Sequence, residues 1–471
     1  MEEPGIVAYA ALLAWIPVSL ALFFLRPPLV ATAVTLLGSV LLLPGRVVFY
    51  FYGFPDLGRE KIGILCALCG CLLFHPRRLQ GQRLGRGWDL LILTLVLGAV
   101  ATALTNTDPA SYGPVYLPGL TLYDAMSDGV EELLVMGIPF FLGRALARRP
   151  RDLEPLLAVI AGAGLLYTLP ILYEARMSPQ LHRMVYGYRQ SSFADVVRSG
   201  GYRPMVFMSH GLALALFVLI SALAAITLAR VRHRVLRLPA WPVAGYLGII
   251  LLMCRSLGAI TYGVFTIPLA ALSSPRTQLR VAITVAALVM LYPLLRASDL
   301  IPTHAMTELG SRVEQDRGQS LQFRFDNEDQ LLAKAAERIW FGWGGWARSS
   351  VYNPKTGKNL STTDGYWIIQ LGTRGVVGFL ASFGLLLAPI VAMTRRMHTF
   401  RSSADRALLG GASLMLMITA VDLIPNSFVN CFQIFFAGAV LGASRRAAAS
   451  VRSPGAGRAV APPRKVAGAS S

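Results

Sequence analysis

Long apolar runs, separated by short polar joints, fill this chain from residue 6 to residue 442. In order they are Ile6 to Leu25, Leu29 to Leu43, Ile62 to Phe74, Trp88 to Leu104, Val130 to Leu146, Leu153 to Tyr173, Met205 to Ala229, Ala240 to Cys254, Leu257 to Leu272, Val281 to Leu295, Trp367 to Met393, Ala407 to Ile424 and Phe428 to Gly442. Many approach or exceed the roughly 18–20 residues a helix needs to cross a bilayer. The pattern predicts an all-α polytopic membrane protein with about 12–13 transmembrane helices. The third run is short and is expected to be tilted, re-entrant or longer than its apolar part.

One stretch breaks the pattern. Residues 296–366 are polar, charged and aromatic, and read as a large loop between two spans. Within it, DNEDQLLAKAAERIW sets Leu331, Leu332, Ala335, Ala336 and Ile339 on one helical face. Asp326, Glu328 and Asp329 cluster before that face, where a helix dipole favours acids. The loop is therefore expected to carry a short amphipathic helix, ended by GWGGW.

Composition agrees with a membrane. The 471 residues are 54% hydrophobic and only 15% charged, whereas a soluble domain carries roughly a quarter charged residues. The net charge of +19 raises the question of nucleic acid, but no basic, aromatic-interleaved soluble domain is present to hold one. The arginines gather instead near residues 75–87, 144–151, 230–237, 276–280, 395–406 and in the tail, and counting spans puts these on one side. By the positive-inside rule that side is the cytoplasm.

The loop at 105–123, which lacks Lys and Arg, and the long loops at 174–204 and 296–366 fall on the other side; the nine bases of the last are balanced by nine acids. Residues 1–443 form the membrane part, and 444–471 are expected to be a disordered cytoplasmic tail. The acidic MEEPG start and the lack of a small-residue cleavage site after the first run predict no cleavable signal peptide. Cys66, Cys69 and Cys71 mimic a metal motif, but they lie in an apolar run with no His nearby and read as small helix residues. No metal and no cofactor are expected.

Candidate chemistry lies in the two long loops. Arg176, Arg183, Arg189, Arg198 and Arg203 face only Glu174 and Asp195 in the first. Such an excess of guanidinium suits phosphate or pyrophosphate, or anionic lipid head groups. Arg255 interrupts LLMCRSLGAITYG at a helix boundary, where an ionisable group is costly unless it pairs, faces a polar cavity or snorkels.

In the second loop Arg324 stands before the amphipathic helix and Asp364 just before the next span. Together they could hold a lipid diphosphate and accept a proton from an acceptor hydroxyl. Asp364 equally suits a helix cap, since Thr-Thr-Asp-Gly is good N-cap chemistry. Trp343 of the GWGGW turn joins Arg203, Arg198 and Arg189 as a substrate-binding candidate. There is no P-loop, HExxH, GxSxG or dinucleotide fingerprint.

Three pieces of this order resemble the O-antigen ligase and O-antigen polymerase superfamily of bacterial inner membranes. They are RSGGYRPMVFMSHGLALAL, CRSLGAITYGVF, and Arg324 followed by a helix, FGWGG and IIQLGTRGVVGFL. The resemblance covers roughly residues 150–395. It implies a metal-independent, inverting glycosyl transfer, with an undecaprenyl-diphosphate-linked glycan as donor and a glycan or lipid as acceptor. Arg203, Arg255 and Arg324 would hold the donor. Ligases of the family commonly carry a His-Asn pair before the span that follows the loop; here Asp364-Gly365 stands there, and His304 and His210 lie elsewhere. That leaves ligase and polymerase both open. The rival reading from another class is a transporter or flippase of lipid-linked or anionic substrates, and a third is a non-catalytic envelope scaffold.

Overall fold

A computed structural model describes residues 4–51, 54–80, 87–190, 197–198, 201–313 and 315–445. The tail beyond residue 445, expected to be disordered, lies outside the described residues. The chain is a bundle of helices joined by short connections, with four small antiparallel two-stranded hairpins at its ends. Its first helices are α1 (Ile6–Leu25), α2 (Pro28–Leu42), α3 (Arg59–Phe74) and α4 (Asp89–Leu104). Next, α5 (Leu122–Glu132) runs through a π-helical turn (Leu133–Gly137) into α6 (Ile138–Leu146).

The long α7 (Leu153–Met177) and the short α8 (Leu181–Tyr186) lead to α9 (Gly211–Arg230), α10 (Ala240–Met253), α11 (Leu257–Leu272) and α12 (Pro275–Ala297). After these come α13 (Thr303–Val313), α14 (Gln315–Ala336), α15 (Tyr366–Thr394), α16 (Ser403–Asp422) and α17 (Cys431–Arg445).

Six helices among the described residues are long and apolar enough to cross a membrane: Ile6–Leu25, Pro150–Met177, Gly211–Arg230, Pro275–Ala297, Tyr366–Thr394 and Ser403–Asp422. Their packing separates centre from rim. The apolar window of α9 is 89% buried, while those of α1 and α12 are only 28% buried. Apolar side chains cover the rim, with Ile6 84%, Phe24 78% and Leu272 86% exposed. So much contiguous apolar surface is not tolerated in water, and lipid is its natural solvent. The chain is a helical membrane protein.

Contacts tie the connections into two opposite sets. At one end Arg148 donates to the Arg78 carbonyl, Arg151 pairs with Asp405 at 3.2 Å, and Arg396 donates to the Ser444 carbonyl. This is the basic end. At the other, Gly5 donates to the Tyr186 carbonyl, the Cys431 amide donates to Glu60, and Arg338 pairs with Asp108. Residues 298–365 lie here, at what we call the polar end.

Several elements begin earlier than the apolar pattern predicts, because distant partners satisfy their charges. α3 starts at Arg59, not Ile62: Arg59 donates to the carbonyls of Leu43 and Phe207, and Lys61 pairs with Glu131 at 2.5 Å. α5 starts at Leu122, behind a Thr121–Asp124 capping box, and its Asp128 and Glu132 pair with Arg374. The 296–366 stretch departs furthest. It carries two helices, α13 and α14, and the second begins eleven residues before Asp326. Asp326, Glu328 and Asp329 therefore sit in mid-helix, and the dipole argument for them fails. The buried face runs back through Phe325, with Leu331 and Ala335 buried beyond it, while Ile339 is exposed.

Candidate functional site

Asp364 and Arg324 meet. Arg324 Nε lies 3.3 Å from Asp364 Oδ2, both side chains about one-third to two-fifths exposed. The local sequence left Asp364 equally suited to a helix cap, but the N-cap of α15 is Gly365, with no side-chain cap bond. The helix start is instead held from outside. The Tyr366 amide donates to the carbonyls of Leu423 and Asn426, both at 3.0 Å. The Thr362 amide donates to Asn327 Oδ1 at 2.7 Å, fixing the approach to Asp364 against α14. These bonds leave the carboxylate to face Arg324. The pair borders a cavity of about 200 Å³ whose polar wall includes Tyr292, Glu328 and Thr362 and whose apolar wall includes Phe325, Ile368 and Pro425.

A second arginine anchors α14, which forms one wall of this cavity. Arg296, at the end of α12, is 3% exposed. It lies 3.3 Å from Glu328 Oε2 and 2.7 Å from Asp329 Oδ1, donates to the Phe325 carbonyl at 3.2 Å, and stacks over the Phe325 ring. Burial pushes the Glu328 carboxyl above its ordinary range, against the pull of Arg296. The signal for Arg296 was a lone arginine closing the run VMLYPLLRA.

Asp422 was also missed. It is 4% exposed at the polar end of α16; Oδ1 accepts from Asn426 at 2.9 Å and Oδ2 has no hydrogen-bond partner among the described residues. A single carboxylate inside LMLMITAVDLI is the kind of intramembrane charge that marks function.

The FGWGG turn plugs a break in α15. Gly375 has φ 67° and ψ −168°, so the helix is interrupted there. A Cβ at this position would lie 2.3 Å from the Trp340 carbonyl, which only glycine permits. The broken ladder is completed by the turn: Val376 donates to Ile339 O at 2.8 Å, Val377 to Trp340 O at 3.2 Å, and Trp343 and Gly344 donate to Gly372 and Thr373. Trp343 is part of this plug. It is 7% exposed, donates to the Lys334 carbonyl, and takes Lys334 and Arg338 against its ring. It does not line the Arg324–Asp364 cavity.

The remaining arginines form a second group at the same end. Arg203 Nη2 donates to the Arg255 carbonyl at 3.3 Å. The Arg255 guanidinium lies over Gly201, where a Cβ would fall 2.3 Å from its Nη2, and the Arg203 stem lies over Gly211 at the start of α9. Arg255 itself has φ 50°, in the left-handed region. The backbone of Arg198 pairs with Gly201, and Arg189 is exposed.

The connection of α16 to α17 links this group to the cavity. Its Phe428 stacks on His210, 5.1 Å between centroids, while its Ile424 and Pro425 line the cavity with Arg324 and Asp364.

No family model matches the chain, and no curated protein matches it.

Proposed function

We propose that this protein is a glycosyltransferase that joins or polymerises undecaprenyl-diphosphate-linked glycans at the outer face of a bacterial inner membrane, in O-antigen or exopolysaccharide assembly. The observation that carries the reading is the Arg324–Asp364 pair, half-exposed in a cavity at one end of a membrane bundle. On this reading the basic end is cytoplasmic, by the positive-inside rule, and the polar end faces outward.

In the proposed reaction an acceptor hydroxyl attacks the anomeric carbon of the donor. The bond from that carbon to the phosphate oxygen breaks, its electron pair leaves with the lipid diphosphate, and the configuration inverts. The hydroxyl proton passes to the Asp364 carboxylate. Arg324 holds the diphosphate and offsets the charge that develops on it, because a guanidinium binds phosphate oxygens in pairs. Binding the donor would draw Arg324 from Asp364 and leave the carboxylate ready to accept a proton. Arg203 and Arg255 extend the positive surface for the diphosphate or its lipid neighbours.

The test is the glycan phenotype of a deletion strain complemented with variants. Arg324→Ala and Asp364→Asn are expected to abolish the product while membrane levels of the protein stay normal. Unpolymerised single repeats in the deletion would identify a polymerase, and long chains left on the carrier lipid a ligase. Unchanged glycan with Arg324→Ala would sink the enzyme reading.

The rival transporter reading draws on the break in α15, since transporters use discontinuous helices. A transporter would leave lipid-linked substrate trapped on the cytoplasmic face of the deletion strain. The FGWGG plug argues against it, because the freed backbone groups at Gly375 are already bonded and offer little to a substrate.

A further inference from the structure

A larger cavity, of about 510 Å³, opens at the same end between the end of α2, the start of α3 and α5. Its charged lining is balanced: Arg46, Arg59 and Lys61 against Asp56, Glu60 and Glu131, with Gln190 and Ser209 beside them. The walls are fixed by separate segments of the chain. Arg59 Nη1 donates to the carbonyls of Leu43 and Phe207, Glu60 Oε2 accepts from the Cys431 amide at 2.9 Å, and Gln190 Nε2 donates to Phe207 O at 3.2 Å.

A polyanion is poorly matched to equal numbers of bases and acids. A sugar chain is well matched, because adjacent ring hydroxyls both donate and accept, and guanidinium, carboxylate and amide groups meet such pairs two bonds at a time. Concave sites with a few fixed polar groups are where such ligands bind, and fixed walls lower the ordering cost.

We propose that this cavity is a second substrate subsite, which holds an uncharged or zwitterionic glycan as the acceptor. The inference rests on the glycosyltransferase reading and adds where the acceptor binds. The α16–α17 connection separates the two sites: Ile424 and Pro425 line the Arg324–Asp364 cavity, and Val429 lines the larger one. A chain held in the larger cavity would pass over this connection to present its terminal hydroxyl to the donor.

The test is calorimetric binding to the purified full chain in nanodiscs. The probes are neutral oligosaccharides released by mild acid from the host's own surface polysaccharide and, separately, inorganic pyrophosphate. Ser209→Trp fills the cavity from an exposed position, and Lys61→Met with Glu131→Gln removes its ion pair without changing net charge. Both are expected to weaken oligosaccharide binding at least tenfold, with pyrophosphate binding and the thermal midpoint of Ser209→Trp unchanged. Asp364→Asn should leave oligosaccharide binding intact.

Oligosaccharide binding that is absent in the native chain, or equal in Ser209→Trp, overturns the proposal. Pyrophosphate binding that disappears in Ser209→Trp also overturns it and makes the cavity an anion site. Failure of the enzyme reading would show separately, as normal glycan with Arg324→Ala.

Discussion

Arg296 and Arg324 both meet carboxylates at the polar end, and they are built differently. Arg296 is buried and bonded to two carboxylates, a carbonyl and a ring, joining the end of α12 to the middle of α14. Arg324 is one-third exposed and meets a single carboxylate at the border of a cavity. A buried, multiply bonded arginine is committed, because moving it would strand buried charge. A half-exposed one can exchange its partner for a ligand. The contrast assigns Arg296 to holding α14 in place and Arg324 to chemistry, although the two lie at the same end of the bundle.

The largest effect expected from this contrast is on folding. Arg296→Ala leaves the buried Glu328 without its cation, while Asp329 is exposed to water; removing one member of a buried pair costs about 3–5 kcal/mol, and the Tyr292 hydrogen bond that Glu328 keeps sets the effect toward the lower end. The thermal midpoint in detergent should fall sharply, with much less protein recovered from the membrane. A near-native midpoint would erase the distinction between the two arginines.

Arg324→Ala should do the reverse. A partly exposed pair contributes at most about 1 kcal/mol to stability, so the midpoint should barely move. Loss of a preorganised charge at the leaving group should lower glycan transfer by about 10²–10³-fold. If Arg324→Ala destabilises the chain as much as Arg296→Ala, the pair is structural and the chemistry lies elsewhere.

Gly375→Ala ranks next. It forces a side chain into the left-handed region and against the Trp340 carbonyl, at a cost of about 1–3 kcal/mol. The plug that bridges α15 at residues 372–377 should loosen. Faster proteolysis near residues 340–346 would report this, and unchanged cleavage would show that the FGWGG turn does not depend on the break.

The apolar runs foretold the helices well where no charge intervened, as in α1, α10 and α11, whereas α9 starts at Gly211, six residues later than its run, because the Met205 and Val206 amides bond to Glu174 instead. They failed where a charge is satisfied from far along the chain. The start of α5 was hidden because Asp128 and Glu132 look unsuited to a membrane helix until Arg374, more than two hundred residues later, pairs with them. Asp364 depends on the same kind of long-range pairing. Its neighbours suit a cap as well as a partner for Arg324, and the fold turns the carboxylate toward Arg324, forty residues away. Trp343 failed in the opposite sense: an aromatic in a polar loop suggested a binding surface, yet the break at Gly375 claims the turn around it. The two glycines of GTRG permit the break but do not fix it, because glycine is also tolerated inside a helix.

The smallest effect calibrates the exposed end of the comparison. Arg338 pairs with Asp108 at 2.7 Å at the polar end, with the Asp108 side chain more than half exposed. The hydrogen bond from Arg338 holds the Asp108 carboxyl below its ordinary value of 3.8. A carboxyl depressed in the folded state contributes stability above its unfolded value, and loses it as the pH falls through the folded one. Asp108→Asn should therefore lower the thermal midpoint slightly at neutral pH, by the few tenths of a kcal/mol typical of an exposed pair. The difference from the native chain should begin to shrink near pH 3.8 and disappear only below the lower folded value. A difference that persists unchanged at low pH would mean that the tether acts through packing rather than charge. Partial exposure would then be a poor guide to which arginines at this end are free to exchange partners.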